Sequence, residues 1–402
     1  MNDAAQRLSD RLEAMLAPVG PARFFADTFG RTPLLLPGSA ARTGGVMDLG
    51  ELNRLLNQTS IWTARTLQLV LDGRAVAAEE FCRLAIDTEA RDVLRPVPRL
   101  VTTWIRRGAT LVLNNIGELN DGLAETAAAL RAATGAAVQA NLYFSRQGRQ
   151  AFNPHFDTHE VFALHCHGAK RWRIFENRTD APTGRSVQAA AATGRKEDPG
   201  AVREEVTMQP GDLLYLPRGQ FHDALASTGA TIHVTFAVSV PTGADLLRFL
   251  AEEGVLDPAL RRDLALRPTR KRLEAAAGPV ADRLAAMVRD PAFLAALARH
   301  LQTQAPPFDR YDLEAALAAP LRYRPRQDGG LRLAEDGGRV VAEGRSGRHV
   351  LPPALVPVVR WALTTTEEFD ASALAARFPG LTGEQAAQAA ESLVNLRLAE
   401  IV

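Results

Sequence analysis

Cysteine is nearly missing from this chain: 402 residues contain two, Cys82 and Cys166. Neither has a neighbour at CxxC spacing, so neither a disulfide framework nor a zinc ribbon is indicated. Lysine is scarce as well. Of 47 basic residues only Lys170, Lys196 and Lys271 are lysines, so a lysine placed within a strand pattern calls for a reason. Charge of one sign is lacking too. The 47 basic and 46 acidic residues leave a net charge of +1, which supplies no global field for nucleic acid or a membrane surface. No run of 18 apolar residues occurs, and the N-terminus (MNDAAQRLSDRLEAML) is charged and amphipathic rather than a signal core. The expectation is a cytoplasmic protein with no membrane segment.

What is present is a globular composition, 46% hydrophobic and 23% charged, in a chain long enough for two or three domains. Residues 5–16 read as a helix, with Leu8, Leu12 and Leu16 at spacing four. A short helix over 21–26 leads to a strand at 31–37. Helices are expected at 48–57, 76–86 and 118–134, with a strand at 109–114. From Ala137 to about Val240 the period falls to two, in short strands separated by glycine and proline turns. The polar segment 177–204 reads as an insertion or lid. Beyond Pro241 the pattern is helical, and Pro258, Pro268, Pro279 and Pro291 divide it into short helices. A linker at 304–307 precedes two short strands near 331–333 and 339–341, then helices at about 352–364, 371–377 and 383–396.

The chemistry concentrates in the β region, where six of the eight histidines lie between 155 and 233. His155 and Asp157 are two apart on an extended segment, which projects an imidazole and a carboxylate to one side. His222 lies 67 residues beyond His155, at the end of Gly211-Asp212-Leu213-Leu214-Tyr215-Leu216-Pro217-Arg218-Gly219-Gln220-Phe221-His222. There a Gly-Asp turn and a Pro-x-Gly turn bracket a four-residue strand. Two imidazoles and one carboxylate form the facial set that holds non-haem Fe(II) with positions left open. An isolated HxD is more often an ordinary pair of polar residues. Combined with GDxxxxPxGxxH in one β region, it becomes specific. His165 and His167, read as part of a hairpin beside Gly168, and His159 are not expected to bind metal. Cys166 reads as packing.

This arrangement resembles the JmjC/cupin-4-type Fe(II)- and 2-oxoglutarate-dependent oxygenases, in particular the ribosomal oxygenase subgroup. The residues carrying the likeness are Asn141-Leu142-Tyr143, Pro154 to Phe162, Gly168-Ala169-Lys170-Arg171-Trp172-Arg173 and Pro210 to His222. Phe24-Phe25 to Pro33-Leu34-Leu35 looks like that family's entry segment. The resemblance implies an α+β fold: a double-stranded β-helix with flanking helices (1–240, β core about 137–240), a helical dimerisation region (241–305) and a winged-helix-like domain (306–402). It implies iron on His155, Asp157 and His222, and 2-oxoglutarate and O2 as co-substrates. Lys170 would pair with the distal carboxylate of 2-oxoglutarate, as a buried carboxylate needs a buried cation. Asn141 and Tyr143, on one strand face, would help hold the co-substrate or substrate, and Thr235, on a late strand with His233, would line the pocket and join them in binding the co-substrate.

The implied reaction is hydroxylation of a side-chain carbon in a protein or peptide, with a ribosomal protein as the family's kind of substrate and a homodimer as its assembly. Two neighbouring readings use the same residues: hydroxylation of a peptide natural-product precursor, and N-methyl-lysine demethylation. A cupin enzyme without 2-oxoglutarate would have no use for Lys170. A non-catalytic binding protein on this fold could lose a metal ligand without losing its fold. The C-terminal segment lacks a concentrated basic helix, since 383–398 carries Glu384, Glu391 and only Arg397, which argues for an interaction module rather than nucleic-acid binding.

Overall fold

The computed structural model of the chain describes residues 3–87, 89–146, 153–192, 197–304, 320–326, 331–344 and 347–402. Contacts divide it into two units, 1–308 and 309–402.

The first unit is organised by one nine-stranded sheet. In chain order the strands are β1 (Leu34–Leu36), β2 (Leu67–Leu71), β3 (Arg74–Ala75), β4 (Cys82–Ile86), β5 (Asp92–Pro96), β6 (Thr110–Leu113), β7 (Ala137–Arg146), β8 (Glu160–Arg178), β9 (Val202–Met208), β10 (Leu213–Leu216) and β11 (Gln220–Ser239). The sheet runs β1-β10-β8-β11-β7-β6-β2-β3 with β9 on β8, while β4 and β5 pair only with each other.

Two long strands make the sheet fold on itself. β8 spans 19 residues and β11 spans 20. They pair antiparallel from Gln220↔Arg178 to Val238↔Glu160, with register shifts between Ala226 and His233. The first half of β8 also pairs with β10, and its second half with β9. Each strand thus serves both halves of a double-stranded β-helix. The bend in β8 falls at Gly168, whose φ is +71° and where a Cβ would lie 2.2 Å from the Ala230 carbonyl oxygen. Only glycine meets both demands.

Alternation sorts the side chains. Val161, Ala163, Trp172, Ile174, Val206, Met208, Leu214 and Leu216 fill the inside of the folded sheet. Leu111, Leu142, Phe162, Leu164, Tyr215 and Phe236 face a larger core, shared with Met15 and Leu16 of the helix Asp3–Leu16 and Leu123 and Leu130 of the helix Asp121–Thr134. The latter helix starts on an Asn120 cap and ends on Gly135 at φ +63°. Arg42, 1% exposed, ties the N-terminal segments to the sheet by donating to the carbonyl oxygens of Met15, Ala17, Leu36, Pro37 and Gly211.

Three expectations fail here. Residues 82–86 form β4 rather than the end of a helix, which stops at Phe81. Val161–Leu164 and Arg171–Phe175 are not separate strands across a hairpin at Gly168, because β8 runs through. Pro279 sits inside a continuous helix, Arg270–Arg289. That helix has no buried residue, so the carbonyl deprived of a partner by Pro279 faces water. Helices Gly243–Gly254 and Pro291–Gln304 complete the region, packing Phe249 and Leu250 on Phe293 and Leu297. The insertion carries a helix, Gly184–Ala192. From residue 305 onward the expected linker lies outside the described residues.

The second unit has its own core, including Tyr323, Val358, Phe369, Leu374, Leu393 and Leu398. It holds two three-stranded sheets and the helices Val356–Ala362, Ala371–Arg377 and Gly383–Asn395. Among the described residues of the chain, no helix is long and apolar enough to cross a membrane.

Candidate metal centre and active site

The metal set is assembled by one bridge. His155 precedes β8 on a non-strand segment rather than on a barrel strand, and it pairs antiparallel with His222 at the start of β11. The His155 N–H donates to the His222 carbonyl at 3.0 Å, and the reverse bond is 2.8 Å. The Gly219 N–H donates to the Asp157 carbonyl at 2.9 Å, so the Pro-x-Gly turn fixes the third member. Gly219 itself has φ +87°, and a Cβ there would lie 2.1 Å from the Thr179 carbonyl oxygen.

One donor atom from each of His155, Asp157 and His222 lies within 4.8 Å of the others, and among the described residues no other group of three does this. Backbone carbonyls orient both rings. His155 Nδ1–H donates to Asn153 O at 2.8 Å, and His222 Nδ1–H to Gln220 O at 3.0 Å. Each Nε2 is left as the ligand atom, the arrangement by which metal-binding imidazoles are usually aimed. Burial, then repulsion from His155, pushes His222 down to about 4, which keeps it in the neutral, ligating form. The donor set therefore fits a metal of the non-haem iron type.

Behind the triad lies a cavity of about 200 Å³ lined by Tyr143, His155, Asp157, Val161, Lys170, Trp172, His222, Ala224, His233 and Thr235. Exposure falls from its mouth to its end: the Asp157 side chain is 32% exposed, whereas Lys170 is 3% and His233 is 4%. Lys170 is the notable occupant. Burial drives its ammonium down to about 7, and among the described residues no acidic side chain pairs with it. Its Nζ lies 3.3 Å from His233 Nδ1. Among the described residues the buried Trp172 indole N–H has no hydrogen-bond acceptor. A buried cation with no acidic partner at the closed end of a cavity is a pocket for an anion, because burial without a counter-charge disfavours the ammonium.

The rings around the cavity are fixed by each other. His233 stacks on Tyr143 at 4.7 Å and 6°, meets Trp172 edge-on at 5.3 Å, and Trp172 stacks over His222 at 5.8 Å. Tyr143, raised by burial and then by Asp157, stays a neutral phenol.

The structure thus places His155, Asp157, His222, Lys170, Tyr143 and Thr235 around one cavity. Asn141, although the register partner of Thr235, is not among the lining residues, and its Oδ1 accepts from the Asn115 N–H at 3.1 Å. His165 is held down to about 4, by burial first, and its Nε2 bonds the Gly168 carbonyl at 2.9 Å. Cys166, pushed up to about 12 by burial, is an inert thiol. Arg173 forks onto the buried Asp223, clasping β8 to β11 beside His222. Sequence reasoning undervalued Trp172 and His233 as walls of the site. The usable signal was alternation, Trp172 with Lys170 and His233 with Thr235.

Residues 117–246 match the family model described as the JmjC domain. The chain carries a JmjC domain. The chain is similar to curated proteins at modest identity. Ribosomal oxygenase 2 of Bos taurus is 27% identical over 295 residues, 70% of this chain and 59% of that protein. Ribosomal oxygenase 1 of Gallus gallus is 26% identical over 237 residues, 58% of this chain and 37% of that protein. The Dictyostelium discoideum protein named bifunctional lysine-specific demethylase and histidyl-hydroxylase NO66 is 30% identical over 157 residues, 39% of this chain and 29% of that protein. The chain spans less than two thirds of the length of each. A solved structure, the Escherichia coli ribosomal oxygenase YcfD in complex with cobalt and 2-oxoglutarate, aligns over 94% of this chain and 97% of that one at 17% identity and a TM-score of 0.45.

Proposed function

We propose that this protein is an Fe(II)- and 2-oxoglutarate-dependent oxygenase that hydroxylates a side-chain carbon of a protein or peptide, a ribosomal protein being the favoured class. One observation carries the reading: a His-Asp-His donor set shares a cavity with a buried lysine that has no acidic partner among the described residues. The names of the relatives, ribosomal oxygenases and histidyl-hydroxylase, support the polypeptide substrate. Iron on His155, Asp157 and His222 would supply oxygen activation coupled to oxidative decarboxylation of the co-substrate.

The chain's own residues supply the rest. Lys170 would neutralise the distal carboxylate, and Trp172 walls the cavity between Lys170 and His222. Thr235 and Tyr143 present hydroxyls to the same cavity. The apolar packing behind them keeps water from the buried end. The polypeptide enters from the exposed side, where His155 and Asp157 stand. A second reading, N-methyl-lysine demethylation, draws on the bifunctional name of the NO66 relatives. Mass spectrometry of ribosomal proteins incubated with the iron-loaded enzyme and 2-oxoglutarate separates the two. The proposal requires a gain of one oxygen, demethylation gives loss of a methyl group, and no change in any protein would count against both.

The finer architecture belongs to the same reading. Leu247, Val255, Leu256, Leu264 and Leu266 are 58–83% exposed in the helical region, an apolar surface that suits a homodimer. Helices with two small sheets over 320–402 suit a winged-helix-like interaction module. A cytoplasmic site of action suits the free, buried cysteines and the proposed substrate.

A further inference from the structure

His233 is not a ligand of the metal set, yet it is buried, bonded to Lys170, and clamped by two aromatic rings. We infer that His233 is a positioning residue for co-substrate selection: its Nδ1 accepts one N–H of Lys170 and so turns the remaining ammonium protons toward a dicarboxylate. This inference rests on the 2-oxoglutarate reading given above.

A lysine ammonium is a point charge on a flexible stem with three donors and no acceptor. Such a stem is flexible by itself, and a fixed head is what selects a ligand of one length in a cavity of about 200 Å³. The 3.3 Å contact to His233 Nδ1 provides the fixed point. The plane of the ring is held. It lies flat on Tyr143, with interplanar angle 6°, and Trp172 abuts it at 80°. With a charged Lys170, Nδ1 is the acceptor, so the ring proton sits on Nε2. An acidic side chain in this position would neutralise Lys170 and compete with the ligand. A neutral acceptor orients the charge and leaves it available. The register supports the design, since His233 lies opposite Tyr143 on β7 and His165 on β8, while Lys170 is reached across the bend at Gly168.

The test is anaerobic titration of the Fe(II)-loaded full chain with 2-oxoglutarate and, separately, with 2-oxobutanoate, which has the keto acid end without the distal carboxylate. His233→Phe keeps a flat ring on Tyr143 but removes the acceptor. His233→Asn restores an acceptor near the position of Nδ1. The expected result is a Kd for 2-oxoglutarate raised about 10- to 100-fold in His233→Phe, largely recovered in His233→Asn. Iron affinity and 2-oxobutanoate binding stay at the parent values. A Phe variant that binds 2-oxoglutarate like the parent overturns the inference. So does equal weakening of both keto acids, or an Asn variant no better than Phe, since these describe packing alone. Absence of saturable 2-oxoglutarate binding by the parent protein would instead remove the functional reading on which the inference stands.

Discussion

Replacing Lys170 by Met is expected to stabilise the fold while abolishing co-substrate binding. The two terms can be weighed. Burial lowers the Lys170 ammonium from 10.5 to about 7. At about 1.4 kcal/mol for each tenfold change in proton affinity, the folded state carries a penalty of about 5 kcal/mol near and below pH 7. Met fills nearly the volume of the lysine stem without a charge. Against this gain, His233 Nδ1 loses its donor, which costs about 1–3 kcal/mol for a buried acceptor. The balance favours the variant by roughly 3 kcal/mol, a rise in Tm of roughly 6 °C for a unit of this size.

The sign with pH gives a second check. Between about pH 7 and 10.5 the unfolded lysine binds a proton that the folded one does not, so the parent gains stability as pH rises, by about 1.4 kcal/mol per pH unit. The advantage of Lys170→Met should therefore be largest at or below pH 7 and shrink toward pH 10. Urea unfolding of the apo proteins, followed by tryptophan fluorescence at several pH values, measures both. A variant less stable than the parent at pH 7, or a difference that does not narrow with pH, refutes the account of Lys170 as an uncompensated buried cation.

Three further outcomes are expected. Because an anion favours the charged lysine, affinity for 2-oxoglutarate should be flat below about pH 7 and fall about tenfold per pH unit above it, with proton uptake on binding visible by calorimetry in buffers of different ionisation enthalpy; affinity independent of pH from 6 to 9 would contradict it. Arg42→Leu strands five carbonyl acceptors and should cost on the order of 3–5 kcal/mol in chemical denaturation without altering the metal set; a loss under 1 kcal/mol would show that those acceptors find other partners. Gly219→Ala, placing a Cβ 2.1 Å from the Thr179 carbonyl oxygen at a positive φ, should weaken iron binding at least about tenfold by displacing the turn that holds Asp157; unchanged iron affinity would dissociate that turn from the site.

The site was legible in the sequence because its parts are short and chemically unambiguous. His155 and Asp157 at spacing two, and His222 after two glycine turns, state a ligand set and the turns that carry it. The long strands were less legible. Gly168 and its flanking histidines resemble a hairpin, and what distinguishes a bend in one strand is the close pass of the Ala230 backbone, a contact about 60 residues away in sequence. Residues 82–86 come just after Ala77-Ala78-Glu79-Glu80, a strong helix former, yet they form β4; pairing with β5 overrode local propensity. Proline signals helix ends only where the lost hydrogen bond cannot be replaced, and the helix around Pro279 has no buried residue, which leaves that carbonyl open to solvent. The pairing of Lys170 with His233 depends on how β8 and β11 fold over, which no spacing encodes.

The most direct test of the central claim is anaerobic visible absorption of the purified protein titrated with Fe(II) and then with 2-oxoglutarate. It needs no knowledge of the polypeptide substrate. The account predicts a metal-to-ligand charge-transfer band that saturates with 2-oxoglutarate, is absent in His155→Ala for want of iron, and is absent in Lys170→Met at the same co-substrate concentration although iron still binds. Bound iron without such a band in the parent protein would contradict the co-substrate assignment, and failure of the parent to bind iron would contradict the metal centre itself.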